Sequence, residues 1–173
     1  MEIKKQKGFT IIEIIVVIGI LGIIAAVGTN MFFTVISGST KSKNLTTVKQ
    51  NGEYALSVME RMIRNSSDVI ANTDGQICES GMTKIKIINS DKEEIEFAFI
   101  DLGGNSYIAS NSSRITSDQV KVTSGVFNCS STGDFNPKTI VIDFTLDQNI
   151  SPTPRIEEEA TMDFRMTVGI RNY

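Results

Sequence analysis

An uncharged apolar run near the N-terminus is the feature that most limits how this chain can fold. No charged residue occurs from position 14 to 40, although charged residues make up 21% of the 173-residue sequence. As an α-helix, residues 9–33 would extend over about 37 Å, more than the ~30 Å hydrocarbon core of a bilayer. A soluble domain does not usually separate its charges in this way. The pattern predicts a helix that lies in a membrane, followed by a polar domain.

The charges on the two sides of this run differ in sign. Residues 1–8 carry Lys4, Lys5 and Lys7 with only Glu2 as an acid, whereas the rest of the chain is acidic and the net charge is −3. Because a short basic segment before an apolar run stays in the cytoplasm, we expect a single-pass protein of the cytoplasmic (inner) membrane with its C-terminal domain outside. The acidic balance argues against nucleic acid as a partner, because phosphate binding needs a basic surface.

The apolar run has three interpretations. It is an uncleaved signal anchor, or a secretory signal peptide with Ala26-Val27-Gly28 as a small-x-small cleavage site, or a segment in which Glu13 has a function. A carboxylate within an apolar helix costs about 2.5–3.5 kcal/mol on insertion scales. No basic residue of the segment can pair with Glu13, so its partner must come from elsewhere unless the side chain simply reaches the lipid headgroups.

Residues 4–13 read KKQKGFTIIE, which resembles the cleavage signal of the type IV prepilins and pseudopilins. That signal has a short basic leader ending in Gly, then Phe, and a Glu at the fifth position of the mature chain. Gly8, Phe9 and Glu13 match these positions. Residues 14–27 are similar to the N-terminal helix of the same family. Many pilins carry a helix-disturbing proline near the position that Asn30 occupies here, and this departure bears on helix unwinding.

The resemblance implies a processing and assembly pathway. A prepilin peptidase would cut between Gly8 and Phe9 and N-methylate Phe9. The mature helix would pass from membrane lipid into a filament of other pilin or pseudopilin subunits, built at an inner-membrane assembly platform. The new Phe9 amine of an adjacent subunit would then offset the charge of Glu13 and set the axial register. No cofactor is implied.

The remaining chain predicts an α+β fold. A largely apolar stripe at helical spacing continues from Leu45 to Met62, beyond a weak joint at 37–40, and we expect the helix to end at 65–68. Alternation with a period of two then predicts strands at 83–88, 94–100, 106–109, 119–127, 139–146 and 161–170. Strands that follow a long helix predict an antiparallel sheet packed on that helix, as in pilins.

These patterns divide the chain into four parts. Residues 1–8 form a cleaved leader, and 9–36 the hydrophobic transmembrane and assembly helix. Residues 37–68 form the amphipathic continuation of that helix, and 69–173 a β-rich extracytoplasmic domain.

The composition leaves little chemistry for an enzyme or a metal site. The chain has no histidine and only two cysteines, which excludes histidine-based triads and histidine or all-cysteine zinc sites. The acidic run at 157–159 is typical of a solvated loop. Outside the cell membrane we expect Cys78 and Cys129 to form a disulfide, with two free buried thiols as the alternative.

We therefore expect a structural subunit without catalytic residues. The final strand, from Phe164 to Asn172, is similar to the ending of some minor pilins and J-type minor pseudopilins, which favours a minor pilin of a type IV pilus. A minor pseudopilin of a type II secretion system is the alternative within this class. A signal-anchored extracytoplasmic domain with a binding or enzymatic role is the alternative from another class.

Overall fold

The computed structural model describes residues 8–70, 78–130, 138–149 and 159–170. It contains one long helix and eight strands in these ranges. In chain order they are α1 (Ile11–Arg64), β1 (Ser66–Ile70), β2 (Lys84–Asn89), β3 (Glu94–Ile100), β4 (Tyr107–Ser110), β5 (Ser113–Arg114), β6 (Val120–Ser130), β7 (Thr139–Gln148) and β8 (Thr161–Gly169). The predicted α+β class is confirmed, and each predicted strand is present with its ends shifted by a few residues at most.

The chain divides into two compact units, Met1–Thr40 and Lys41–Tyr173, here called the anchor unit and the globular unit. In the described part of the anchor unit the large apolar side chains, from Phe9 to Ile36, are all exposed. The predicted weak joint at 37–40 is helical, because α1 runs without a break from Ile11 to Arg64. The boundary between the two units nevertheless falls directly after it.

Within the globular unit, α1 buries one face against the strands. Its buried residues are Asn44, Val48, Gly52, Ala55, Leu56, Met59 and Ile63. This set follows the predicted stripe, with Leu45 and Met62 half-buried at its margin. The core therefore lies between the C-terminal part of α1 and the sheets.

The helix ends earlier than predicted. α1 stops at Arg64, and Ser66–Ile70 forms strand β1 instead of the end of the helix. The buried hydroxyl of Ser66 donates a hydrogen bond to the carbonyl of Ile63 at 2.6 Å, and Val69 is buried. The polar residues that suggested a loop thus connect the helix directly to a strand, so the predicted boundary at 68 is wrong.

The strands form two antiparallel sheets rather than one. The first has the order β1-β2-β3-β4-β5 and the second the order β6-β7-β8. The sheets are joined by an isolated bridge between Met82 and Phe127. A second link is the hydrogen bond of 3.0 Å that the Val122 N–H donates to the Ser106 carbonyl. Near this link β6 carries a register shift between Val122 and Ser124.

Stacked aromatic rings connect the two sheets to the helix. The ring of Phe99 lies 4.6 Å from that of Phe127 and 5.9 Å from that of Phe144, measured between centroids. Phe144 in turn stacks on Phe164 at 5.2 Å. The Phe164 ring fills the space that a Cβ at Gly52 would occupy. The glycine is what allows α1 to approach β8 so closely.

A disulfide joins a residue that precedes β2 to a residue of β6. Cys78 and Cys129 are bonded across a sequence separation of 51 residues. Next to the bond, the Cys129 N–H donates to the Glu79 carbonyl at 2.8 Å. The disulfide therefore attaches the segment that leads into β2 to the other sheet, as the sequence predicted.

Candidate processing and assembly site

A side chain–backbone hydrogen-bond network begins α1. Residues 8–10 are not helical, and Ile11 is the first helical residue. The Thr10 N–H and hydroxyl both donate to Glu13 Oε2, at 2.9 and 3.0 Å. In return the Glu13 N–H donates to Thr10 Oγ1 at 3.4 Å. A threonine and a glutamate three residues apart that exchange such bonds form a capping box, which satisfies amides that the helix leaves unpaired.

The capping box places the Glu13 carboxylate in the first turn of α1. A negative charge there interacts favourably with the helix dipole. The box uses only Oε2 of the carboxylate. In the described part of the chain no basic side chain forms an ion pair with Glu13. Within the described part of the chain, the Glu13 carboxylate therefore has hydrogen-bond donors but no cation.

Glu13 lies beside Phe9 on one side of the helix. Together with Ile14, Val17 and Ile18 they line an open cleft of about 270 Å³. Phe9 is 83% exposed, and among the described residues nothing lies within 4 Å of a Cβ built at Gly8. No described residue therefore covers the Gly8–Phe9 peptide bond, and the carboxylate faces an apolar surface.

The predicted site residues fall into two places. Gly8, Phe9 and Glu13 come together at the start of α1, as the motif requires. Cys78 and Cys129 lie in the globular unit, where they bond to each other. The basic leader at residues 1–7 and the acidic run at 157–158 lie outside the described residues, and Glu159 is exposed. Among the described residues no cluster of acidic or cysteine side chains could hold a metal ion.

Thr10 is the residue that sequence reasoning missed. The signal was present, because Thr10-Ile11-Ile12-Glu13 has the S/T-x-x-E spacing of a capping box directly before an apolar run. The lack of a basic residue in the segment is only one property of Glu13, and the capping box is a simpler relation of this residue to its own helix. The carboxylate has hydrogen-bond donors in its own segment, although it has no cation there.

α1 also meets the requirements for a membrane span. It is the one helix in the described ranges that is long and apolar enough to cross a bilayer, and it lies near the N-terminus. None of the residues in its most apolar window is buried inside the protein.

Comparison with known protein families identifies the motif at the start of α1. Residues 3–29 match the model of the prokaryotic N-terminal methylation motif, a stretch that includes Gly8, Phe9, Thr10 and Glu13. The chain thus carries the type IV prepilin and pseudopilin signal, and this signal supports a pilin-like or pseudopilin-like precursor. No solved structure matches the chain.

The motif has direct consequences for processing. It implies cleavage by a prepilin peptidase and assembly with other pilin subunits, and it points to a structural subunit. The exposed apolar helix supports a protein that is first anchored in the membrane and then assembled into a filament.

Proposed function

We propose that this protein is a minor pilin of a type IV pilus. It is inserted in the inner membrane as a prepilin with its basic leader in the cytoplasm and its globular unit outside. The peptidase cleaves between Gly8 and Phe9 and methylates the new amine, and the subunit enters the filament through α1. The observation that carries this proposal is the methylation motif at residues 3–29, located at the start of an exposed apolar helix.

Glu13 supports entry into the filament in this proposal. In the membrane the carboxylate lies about one helical turn from the mature N-terminus, within reach of headgroups and water. In the filament, apolar helices of neighbouring subunits surround it and remove that escape, so an uncompensated charge becomes costly. The Phe9 amine of an adjacent subunit supplies the missing cation, and Oε1, which the capping box does not use, is available to it.

The assignment as a minor subunit depends on the globular unit. The segment from Phe164 to Asn172, which begins within β8, is similar to the ending of some minor pilins and J-type minor pseudopilins. A minor pseudopilin of a type II secretion system is therefore the second candidate, favoured by the same segment. The two candidates share processing and helix assembly and differ in the machine that they serve.

The copy number in the filament tests the proposal. We would attach a C-terminal tag to the chromosomal copy, shear the pili from the cells, and measure the molar ratio of this chain to the major subunit by quantitative mass spectrometry. A minor pilin is expected in far smaller molar amounts than the major subunit. Near-equal amounts would identify it as the major pilin. Absence from sheared pili, with the chain retained at the cell, would contradict the pilus assignment.

A further inference from the structure

Strand β8 leaves one long edge of the second sheet unpaired. It is nine residues long and pairs with β7 on one side only. In the part of the chain that the structure describes, no strand pairs with its other edge. Unpaired N–H and C=O groups along an edge are a template for an added strand.

The hydrogen bonds to β7 show which backbone groups face this edge. The Ile170 N–H donates to the Lys138 carbonyl at 2.9 Å, and the Gln148 N–H donates to the Ala160 carbonyl at 3.0 Å. Because hydrogen-bonded pairs alternate along an antiparallel ladder, the even-numbered residues of β8 bond to β7. The odd-numbered ones direct their N–H and C=O groups away from it, and they are Thr161, Asp163, Arg165, Thr167 and Gly169.

Neither a proline nor a bulge blocks the edge of β8. Protein edges are commonly protected by proline, by a bulge or by charged side chains, lysine above all. β8 contains no proline and no lysine, its pairing with β7 has no register shift, and its two charged residues, Asp163 and Arg165, are opposite in sign. The side chains of the outward-facing residues are exposed to solvent. They therefore do not block the edge of β8 from the side of the core.

The charges along the edge are complementary to themselves in one antiparallel register. If β8 paired with β8 of a second chain in a register centred on Arg165, the two Arg165 residues would face each other. A register centred on Asp163 would likewise place the two Asp163 residues opposite each other. A register centred on Phe164 instead places Asp163 opposite Arg165 twice and Thr161 opposite Thr167 twice. Opposite charges on directly opposed residues stabilise an antiparallel pair, and like charges destabilise it.

We propose that β8 pairs with β8 of a second copy of this chain, antiparallel and centred on Phe164. The two three-stranded sheets then form one continuous sheet across the edge. Arg165 is free to take part, since its side chain is 73% exposed and its contact with Asp143 is long, 3.7 Å. On the core side, the half-buried Met162 and Met166 of the two copies come next to each other and bury apolar surface.

The symmetry of this pair separates it from filament assembly. The two-fold axis is perpendicular to the sheet, so the part of α1 that packs on the sheet runs in opposite directions in the two copies. Subunits of one polar filament run in the same direction. The proposed contact therefore joins oppositely oriented copies, for example from two filaments, and it goes beyond the role proposed above.

Charge reversal tests the register directly. The full chain is purified in detergent, and self-association is measured by sedimentation velocity over a concentration series, with circular dichroism as a check of folding. In the proposed dimer, Asp163→Arg alone turns both opposed pairs into pairs of arginines. Arg165→Asp alone turns both into pairs of aspartates. Each single variant should weaken self-association by roughly tenfold. An equimolar mixture of the two, and the double variant, should restore it.

A backbone variant tests strand addition independently of charge. Thr167→Pro removes an N–H that points away from β7, so the native ladder stays intact while an added strand is blocked. Arg61→Asp, an exposed charge change on α1, is the matched control and should associate as wild type does. The proposal is overturned if wild type stays monomeric, if the single variants associate as strongly as wild type, or if their mixture fails to regain association.

Discussion

The hydrogen bonds of Glu13 explain how a carboxylate is tolerated at the start of an apolar helix. Three bonds join it to Thr10, and two of them end on the same oxygen. Hydrogen bonds to a charged group offset much of the cost of removing it from water. In the filament of the proposed function, the carboxylate therefore still needs a positive charge, and not further donors.

Glu13→Gln separates these two needs. The glutamine carbonyl can still accept from the Thr10 N–H, so the capping box, the cleavage and the folded globular unit should persist. The loss of the charge should reduce the amount of protein that co-isolates with sheared filaments by about tenfold, at an unchanged level in the membrane, if the pair with the amine contributes about 1.4 kcal/mol.

Glu53→Gln is the matched control. Glu53 lies on an exposed face of the same helix, where its contact with Lys49 is 3.7 Å long and solvated, and such pairs contribute little. This variant should enter filaments as wild type does. Equal incorporation of Glu13→Gln and wild type would eliminate the pairing with the amine. Glu13 would then be a recognition element for processing or a tolerated residue that reaches the lipid headgroups.

At the level of helix and sheet, packing depends on one glycine. A Cβ at Gly52 would overlap the ring of Phe164, and that ring is itself stacked on Phe144 at 5.2 Å between centroids. The ring therefore cannot move aside without disturbing its neighbour. α1 and β8 are held at the separation that a glycine allows.

Gly52→Val should destabilise the globular unit. Overpacking of a filled core costs about 1–3 kcal/mol, which exceeds the few tenths gained from helix propensity. Thermal unfolding of the full chain in detergent, followed by near-ultraviolet circular dichroism, measures the change. Gly38→Val is the control, because no described residue lies within 4 Å of a Cβ at Gly38. A Gly52→Val variant as stable as wild type would refute the close packing.

The elements were predictable where periodicity dominates. The buried positions of β7 alternate from Ile140 to Leu146, and this pattern is visible in the sequence. β1 was missed because its serines and Asp68 are typical of loops, while their side chains actually bind neighbouring segments. The Ser67 hydroxyl donates to the Ile88 carbonyl at 3.2 Å, and Lys138 Nζ donates to Asp68 Oδ1 at 2.5 Å. Such long-range partners are invisible to local patterns.

The arrangement of the whole molecule was less predictable. A period of two identifies strands but not their neighbours, so the division into two sheets could not be foreseen. It depends on close contacts such as that of the Phe99 ring over Gly125, between residues far apart in sequence. The disulfide was predictable because only two cysteines occur. The processing and assembly site at the start of α1 was predictable because its motif is local in sequence. Only the role of Thr10 was missed.

The disulfide should contribute to the stability of the globular unit. Closing a loop with a sequence separation of 51 residues stabilises a fold by about 4 kcal/mol in the chain-entropy model. The double variant Cys78→Ala/Cys129→Ala should therefore unfold at a clearly lower temperature than the oxidised wild type. Adding a reductant should lower the unfolding temperature of the wild type but not that of the variant. Alkylation of both thiols in unreduced wild type would show that the bond does not form.

Cleavage at the Gly8–Phe9 bond would make this chain a prepilin-type precursor, and the mature N-terminus reports whether that cleavage occurs. The protein is isolated from its native membrane and its N-terminal peptide is sequenced by mass spectrometry, with a peptidase-deficient strain as control. We predict a start at Phe9 with one added methyl group, and an unprocessed start in the control. A start at Thr29 would indicate an ordinary signal peptidase and a secreted domain, and a start at Met1 in the native strain would leave an uncleaved anchor. Either result would contradict the account.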